Sequence, residues 1–373
     1  PVYRVKDMTL VKRAVLVLFL LSAVASIAWA QSDGRLSGGT GPLYLGSYPQ
    51  QITVVDEATE QVIDRIHVSS GVPRNLTLSL DRSRFYMNDS TLEWFEVIDV
   101  ARRETLHAFT LSEGNRKARI RGFTVHPNGR HVVLVVDTAV KLLDRFEIED
   151  RELLLYDIEQ DEVVRELPWP DGVRYGFRLR MLFSPDGRFL YHFGENVTVF
   201  ETENYTEVNR WMTSEPIESG LGRLNLNFTP DVINEEPGFF TGIVRVEDET
   251  QDRELMGIAR IDLLNQGVDM YTLGPAVSGL SFALAPGRQK AYGVASEIGH
   301  YEFWVFDLER RRVETRKVFQ GRPRMDLHVS TNGRLLYISQ AGETIDLYNA
   351  ETLEYLRTIT LDGDQTTGML VVP

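Results

Sequence analysis

One phrase recurs along this chain, and its recurrence restricts the possible folds more than any overall property does. An aliphatic run meets an acid or amide, crosses a short polar turn and gives way to a second apolar run. The copies are "ITVVDEATEQVI" (Asp56), "FEVIDVARRETL" (Asp99), "LLLYDIEQDEVV" (Asp157), "VTVFETENYTEV" (Glu201), "IARIDLLNQGVD" (Asp262), "FWVFDLERRRVE" (Asp307) and "IDLYNAETLEYL" (Asn349). The marked positions lie 43, 58, 44, 61, 45 and 42 residues apart. Upstream of most copies stands a second phrase: "LTLSLDRSRFYM" (76–87), "FTVHPNGRHVVLVV" (123–136), "MLFSPDGRFLYHF" (181–193), "FALAPGRQKAYGV" (282–294) and "LHVSTNGRLLYIS" (327–339), with "LNLNFTPDV" (224–232) a degenerate member. Asn-Gly and Asp-Gly supply the positive φ angles of a tight hairpin, so this phrase reads strand, turn, strand. Each repeat then holds four strands, A and B around the glycine turn, C and D around the acidic one.

Four-stranded units repeating at such intervals predict an all-β fold, a seven-bladed β-propeller. Apolar stretches of helical period are missing after residue 30. The seven turn residues are expected to be structural, because a side-chain oxygen there accepts the amides of its own turn, and a ring holds the seven far apart. Expected blade limits are 41–68 with 366–373, then 72–111, 118–169, 176–212, 221–275, 278–319 and 322–361. The repeats begin in mid-unit: "GPLYLGSY" (41–48) reads as a strand B with no strand A before it. "TGMLVVP" (367–373) is free to supply that strand, which closes the ring and hides two sheet edges.

The two long spacings locate extra material between strands B and C, at 137–152 in the third blade and 245–255 in the fifth. B–C and D–A links emerge on one face of a propeller, A–B and C–D links on the other. Both insertions therefore enlarge one face, and such insertions mark binding surfaces. Aromatic residues on that face are the candidate partner contacts: Phe146 in the first insertion, Trp169, Tyr175 and Phe177 in "LPWPDGVRYGF" (167–177), and Tyr301 in "SEIGHYEF" (296–303). Packing of their own loops is the other reading of these residues.

Chemistry is harder to find. The chain has no cysteine, which excludes disulfides, thiolate metal sites and thioether-linked haem or quinone on this chain. Its seven histidines show no metal-ligand spacing, and no nucleophile elbow, phosphate loop or dinucleotide fingerprint occurs. No catalytic, cofactor-binding or metal-ligating residue is assigned. Lys12 and Arg13 precede "AVLVLFLLSAVASIAWA", which ends in the small-x-small site Ala28-Trp29-Ala30. This reads as a secretory signal peptide starting at Met8 and cleaved after Ala30, leaving 31–373 as a single propeller domain, periplasmic or secreted, with no membrane attachment after cleavage. Residues 31–373 carry 36 basic and 53 acidic residues (40 − 4 and 54 − 1), a net of −17. That balance argues against nucleic acid and anionic membrane as partners.

In their order, "PLYLGSYPQQITVVDEATEQVIDRIHV", "FEIEDRELLLYDIEQDEVV", "KAYGVASEIGHYEFWVFDLE" and "IDLYNAETLEYLRTITL" resemble the β-subunit of quinohemoprotein amine dehydrogenase. The likeness covers nearly all the chain after residue 30, including the two long spacings. The chain is similar, more loosely, to amine dehydrogenase heavy chains and to YVTN-type, WD40-like propellers. The resemblance implies a non-catalytic, cofactor-free exported subunit. It would pack against a small subunit bearing a cysteine-tryptophan-derived quinone and against a dihaem cytochrome c. Two other readings stay open. One is a free-standing propeller that binds a ligand or protein. The other is a lactonase-type enzyme, which shares the opening "YLGSY" and needs an Arg/His/Glu cluster converging on the ring axis.

Overall fold

A computed structural model of the protein describes residues 35–170, 180–215, 219–226, 233–297, 299–320, 326–339 and 342–373. The leader, 1–30, and the contact candidates Tyr175 and Phe177 lie outside these residues. The described strands form seven antiparallel sheets. From innermost strand A to outermost strand D, the first blade is Gln365–Val371, Pro42–Ser47, Gln51–Asp56 and Gln61–His67. The second is Pro73–Leu78, Arg84–Asp89, Trp94–Asp99 and Glu104–Thr110. The third is Arg116–Val125, His131–Lys141, Glu152–Asp157 and Glu162–Leu167, with an added strand, Phe146–Ile148, paired to His131–Lys141. The fourth is Arg180–Phe183, Phe189–Phe193, Val197–Glu201 and Thr206–Trp211. The fifth is Leu221–Asn225, Phe239–Asp248, Arg253–Asp262 and Gly267–Pro275. The sixth is Ala283–Leu284, Lys290–Glu297, His300–Asp307 and Arg312–Gln320, and the seventh is Asp326–Val329, Leu335–Ser339, Thr344–Asn349 and Tyr355–Thr360. The chain is a seven-bladed β-propeller.

Burial follows from the ring. Strands B and C are covered on both sheet faces by neighbouring blades, so "HVVLVV" and "LLYIS" are apolar at successive positions and are buried almost throughout. Strand D forms the outer wall, and "EVVREL" and "TEVNRW" are largely exposed. The core is a series of interfaces between blades. Phe303 and Tyr292 of the sixth blade pack on Leu336 and Tyr348 of the seventh, and Tyr191 and Val199 of the fourth on Phe240 and Ile261 of the fifth. A side chain as fully covered as Phe303 contributes about 2–3 kcal/mol of burial.

Closure is made as the sequence predicts. Gln365–Val371 pairs antiparallel with Pro42–Ser47, setting Leu43 opposite Val371 and Leu45 opposite Met369. Next to this seam Glu57, fully buried, accepts the amides of Gly41 (3.1 Å) and Thr331 (2.9 Å) and the hydroxyl of Tyr337 (2.9 Å). It thereby ties the first blade to the seventh.

The A–B turns depart from the expected Asn-Gly hairpin. In the third, fourth and seventh blades only the glycines, Gly129, Gly187 and Gly333, have positive φ; the second blade sets Arg82 there, and the sixth sets Gly287 and Arg288. The preceding Asn128, Asp186 and Asn332 instead accept, through their side chains, the amides of Arg130, Arg188 and Arg334 at 3.0–3.1 Å. The result is a type I turn with a glycine bulge, capped by the side chain of the residue before the glycine.

At the C–D turns, Asp56, Asp99, Asp157, Asp262, Asp307 and Asn349 each accept the amide three residues on, at 2.7–3.1 Å. Glu201, one methylene longer, makes no such bond among the described residues. Four residues after each turn acid the backbone becomes left-handed at a residue that is not glycine: Glu60, Arg103, Asp161, Tyr205, Gln266, Arg311 and Leu353, with φ of 53–60°. That conformation costs on the order of 1 kcal/mol for a residue with a side chain.

The side chains account for the choice. Each C–D turn meets strand D of the preceding blade. Arg103 pairs with Asp64, Asp161 lies 3.1 Å from His107 Nε2, and Gln266 accepts from Asn209 at 2.6 Å. Arg311 pairs with Asp269 at 2.7 Å, and Arg357 donates to Glu60 at 2.8 Å. Where the residue is Tyr205 or Leu353 it is buried, and the preceding blade reaches the turn carbonyls instead. Arg165 donates to Asn204 O at 3.1 Å and Lys317 to Thr352 O at 3.2 Å. All seven joints between blades are bridged at this one turn.

Candidate functional site

Unequal strand lengths raise part of the B–C face. Strand B has five or six residues in the first, second, fourth and seventh blades, but 11, 10 and 8 in the third, fifth and sixth. Five extra residues lift a hairpin by roughly 15 Å. The segment 245–255, expected as a loop, is largely strand: Phe239–Asp248 and Arg253–Asp262 run on to a tight turn between them. Its charge density obscures a strand alternation in which Val244 and Val246 are buried and Glu247 is exposed.

The candidate contacts fall out differently. Tyr301, expected on the surface, is buried instead: it belongs to strand His300–Asp307, is 5% exposed, stacks on Phe319 with ring centres 5.1 Å apart, and its hydroxyl is 2.9 Å from that of Tyr348. The long hairpin carries it into the interface between blades, so it offers nothing to a partner. Trp169 is half-buried against the cluster containing Leu167, Met181 and Phe183, which is local packing. Phe146 is 67% exposed.

Phe146 stands on the added strand of the third blade with Ile148, 72% exposed, and beside the fully exposed Leu143. Leu142 N donates to Arg145 O, and Glu149 N to Thr138 O, so residues 145, 147 and 149 face strand B. Phe146 and Ile148 therefore direct their backbone N–H and C=O outward, to an edge unpaired among the described residues. Exposed apolar side chains on an open strand edge are what a freely soluble ring would suppress.

The same blade presents a concavity of about 570 Å³ over strands A and B and the added strand. Lys117, Arg119 and Arg121 project into it from "RKARIR", whose Ala118 and Ile120 face the core. Asp137 is clamped by Arg121 (2.8 Å) and Arg151 (Nη2, 2.8 Å). Burial works to raise its carboxyl, but the two guanidiniums outweigh this and hold it below the ordinary carboxylate value. The members of this face are separated in sequence, and "RKARIR" by itself carries only the alternation of an amphipathic strand.

A second cavity, about 500 Å³, lies at the axis, walled by innermost strands of the fifth, sixth, seventh and first blades. Arg245 and Glu254 pair within it at 2.8 Å, and Asp326 and His328 at 3.3 Å. Burial raises the Asp326 carboxyl, yet His328 and the Leu327 amide prevail and lower it. No group of three or more potential metal ligands occurs among the described residues.

No family model matches the chain, and no curated protein matches it. Solved structures do. One is dihydro-heme d1 dehydrogenase NirN in complex with DHE, at 14% identity and a TM-score of 0.55, covering 91% of this chain and 76% of that one. Another is a functionally unknown protein from Desulfotomaculum acetoxidans, at 10% identity and a TM-score of 0.55, covering 90% and 99%. A third is the β-propeller domain of Cps50 (Swd1) from Myceliophteria thermophila, at 15% identity and 0.51, covering 87% and 95%. At these identities the likeness is one of fold.

Proposed function

We propose that this chain is a non-catalytic propeller subunit that holds other proteins against its raised B–C face. The observation that carries the reading is the pair Phe146 and Ile148, exposed on an open strand edge that the ring itself does not need. The sequence resemblance supplies its specific form: an exported scaffold, without a cofactor of its own, for a quinone-bearing small subunit and a dihaem cytochrome c in amine oxidation. The absence of cysteine suits this division, since such a chain can build neither group.

The test is to purify the tagged chain from its native host and examine what accompanies it by haem absorbance and quinone staining. The expected complex contains both, and it dissociates when Phe146→Asp and Ile148→Asp are introduced together. A chain that elutes alone, or with neither group, refutes the amine-oxidising scaffold. A complex indifferent to the double substitution moves the interface elsewhere on the ring.

The axial cavity favours a second reading, a ligand-binding or lactone-hydrolysing propeller, because Arg245, Glu254 and His328 line one space. A direct lactone hydrolysis assay, with Glu254→Gln as the control, decides it: no activity in the intact chain removes the enzyme reading.

A further inference from the structure

The charge of the third-blade concavity is opposite to that of the molecule. Its lining holds five cations, Lys117, Arg119, Arg121, Lys141 and Arg151, against three acids, Asp137, Glu149 and Asp150, in a chain whose formal net charge is −14. Lys117 pairs with Glu93 at 3.0 Å, and Arg121 and Arg151 are committed to Asp137. Arg119 and Lys141 have no ion pair among the described residues. They share the sheet face of Phe146 and Ile148: Lys141 is opposite Phe146, Ala139 is opposite both Ile148 and Lys117, and Arg119 is opposite Asp137. Two uncommitted cations and two exposed apolar side chains therefore border one trough.

We infer that this trough binds an extended, acidic segment of a partner protein, with carboxylates on Arg119 and Lys141 and an apolar side chain on Phe146 and Ile148. The inference rests on the scaffold reading and gives it a partner chemistry. An acidic segment is repelled by most of this acidic surface, so the trough is singled out by exclusion as well as by attraction. A basic segment would gain at many places on the ring and lose at this one. The trough spans a few residues of strand, which suits a short extended peptide better than a folded face.

Two labelled ten-residue peptides, one alternating leucine with aspartate and one alternating leucine with lysine, test it by fluorescence anisotropy against the full chain. The aspartate peptide is expected to bind and to weaken as salt rises. Arg119→Glu with Lys141→Glu should weaken it at least about tenfold, and Phe146→Ser with Ile148→Ser comparably, in variants whose circular dichroism and melting match the parent. The lysine peptide should bind the parent more weakly than the aspartate peptide does. Equal binding of both peptides, no binding of either, or indifference to the charge reversal overturns the inference. If the chain still captures haem- and quinone-bearing partners in that case, the scaffold reading stands and only the acidic chemistry falls.

Discussion

Two of the bridges between blades share their chemistry and differ in their surroundings, which separates the effect of burial from that of pairing. The side chains of Arg357 and Glu60 are 19% and 5% exposed, while those of Arg311 and Asp269 are 51% and 64% exposed. Arg311→Ala deletes an ion pair in water and a guanidinium 5.1 Å from the Tyr271 ring centre, together worth about 1 kcal/mol. Arg357→Ala strands the Glu60 carboxylate between the seventh and first blades, and breaking a buried pair from one side costs about 3 kcal/mol or more. With an unfolding entropy of ~2.1 cal/mol/K per residue over the ~330 residues of the ring, 3 kcal/mol lowers the melting temperature by about 4 °C and 1 kcal/mol by about 1.5 °C. Differential scanning calorimetry at pH 7 and one scan rate measures both. Glu60→Gln combined with Arg357→Ala should recover part of the loss, because the stranded charge is gone. Equal shifts for the two arginine variants, or a larger one for Arg311→Ala, would refute the argument that burial sets the value of these bridges.

His192, buried and without a partner among the described residues, is pushed down to about 4 by burial. Its folded value lies below its unfolded one, so its contribution is intact above pH 6.5 and is lost as pH falls towards 4, by about 3 kcal/mol at most. Urea unfolding across that window should show the loss, and His192→Leu should flatten it. Glycine substitutions at the left-handed turn positions should differ in sign. Gln266→Gly relieves backbone strain and forfeits only an exposed bridge, a gain of up to ~1 kcal/mol. Leu353→Gly also empties a buried site and should lose at least ~2 kcal/mol by the same unfolding assay. Removal of residues 365–373 exposes the edge of Pro42–Ser47, and light scattering should report aggregation of the truncated chain; a monomer that melts like the parent contradicts the closure.

The ring was legible because the phrase that builds it is written out seven times, and the mid-unit start at residue 41 announced the seam. The bridges between blades were not. The position four after each turn acid is Glu, Arg, Asp, Tyr, Gln, Arg or Leu in turn, so no residue type marks it, and each partner belongs to another repeat. The raised face was visible in the two long spacings, but what fills it was misjudged at 245–255 and at Tyr301. There the sequence extends its strands under a charged disguise, and an aromatic taken for a surface residue is carried inward. The cationic trough escaped because its members come from two sides of a hairpin, and "RKARIR" alone reads as an ordinary amphipathic strand.

The seam also sets a schedule for biosynthesis. Gly46 meets Thr367 across 321 positions of sequence. At the usual pace of ~5–20 residues per second, the ribosome needs tens of seconds to deliver that partner. For all that time the first blade stands three strands wide with a bare border, a template for any stray chain. A cell making this protein has to keep the nascent polypeptide from folding early, or shield that border until translation is finished.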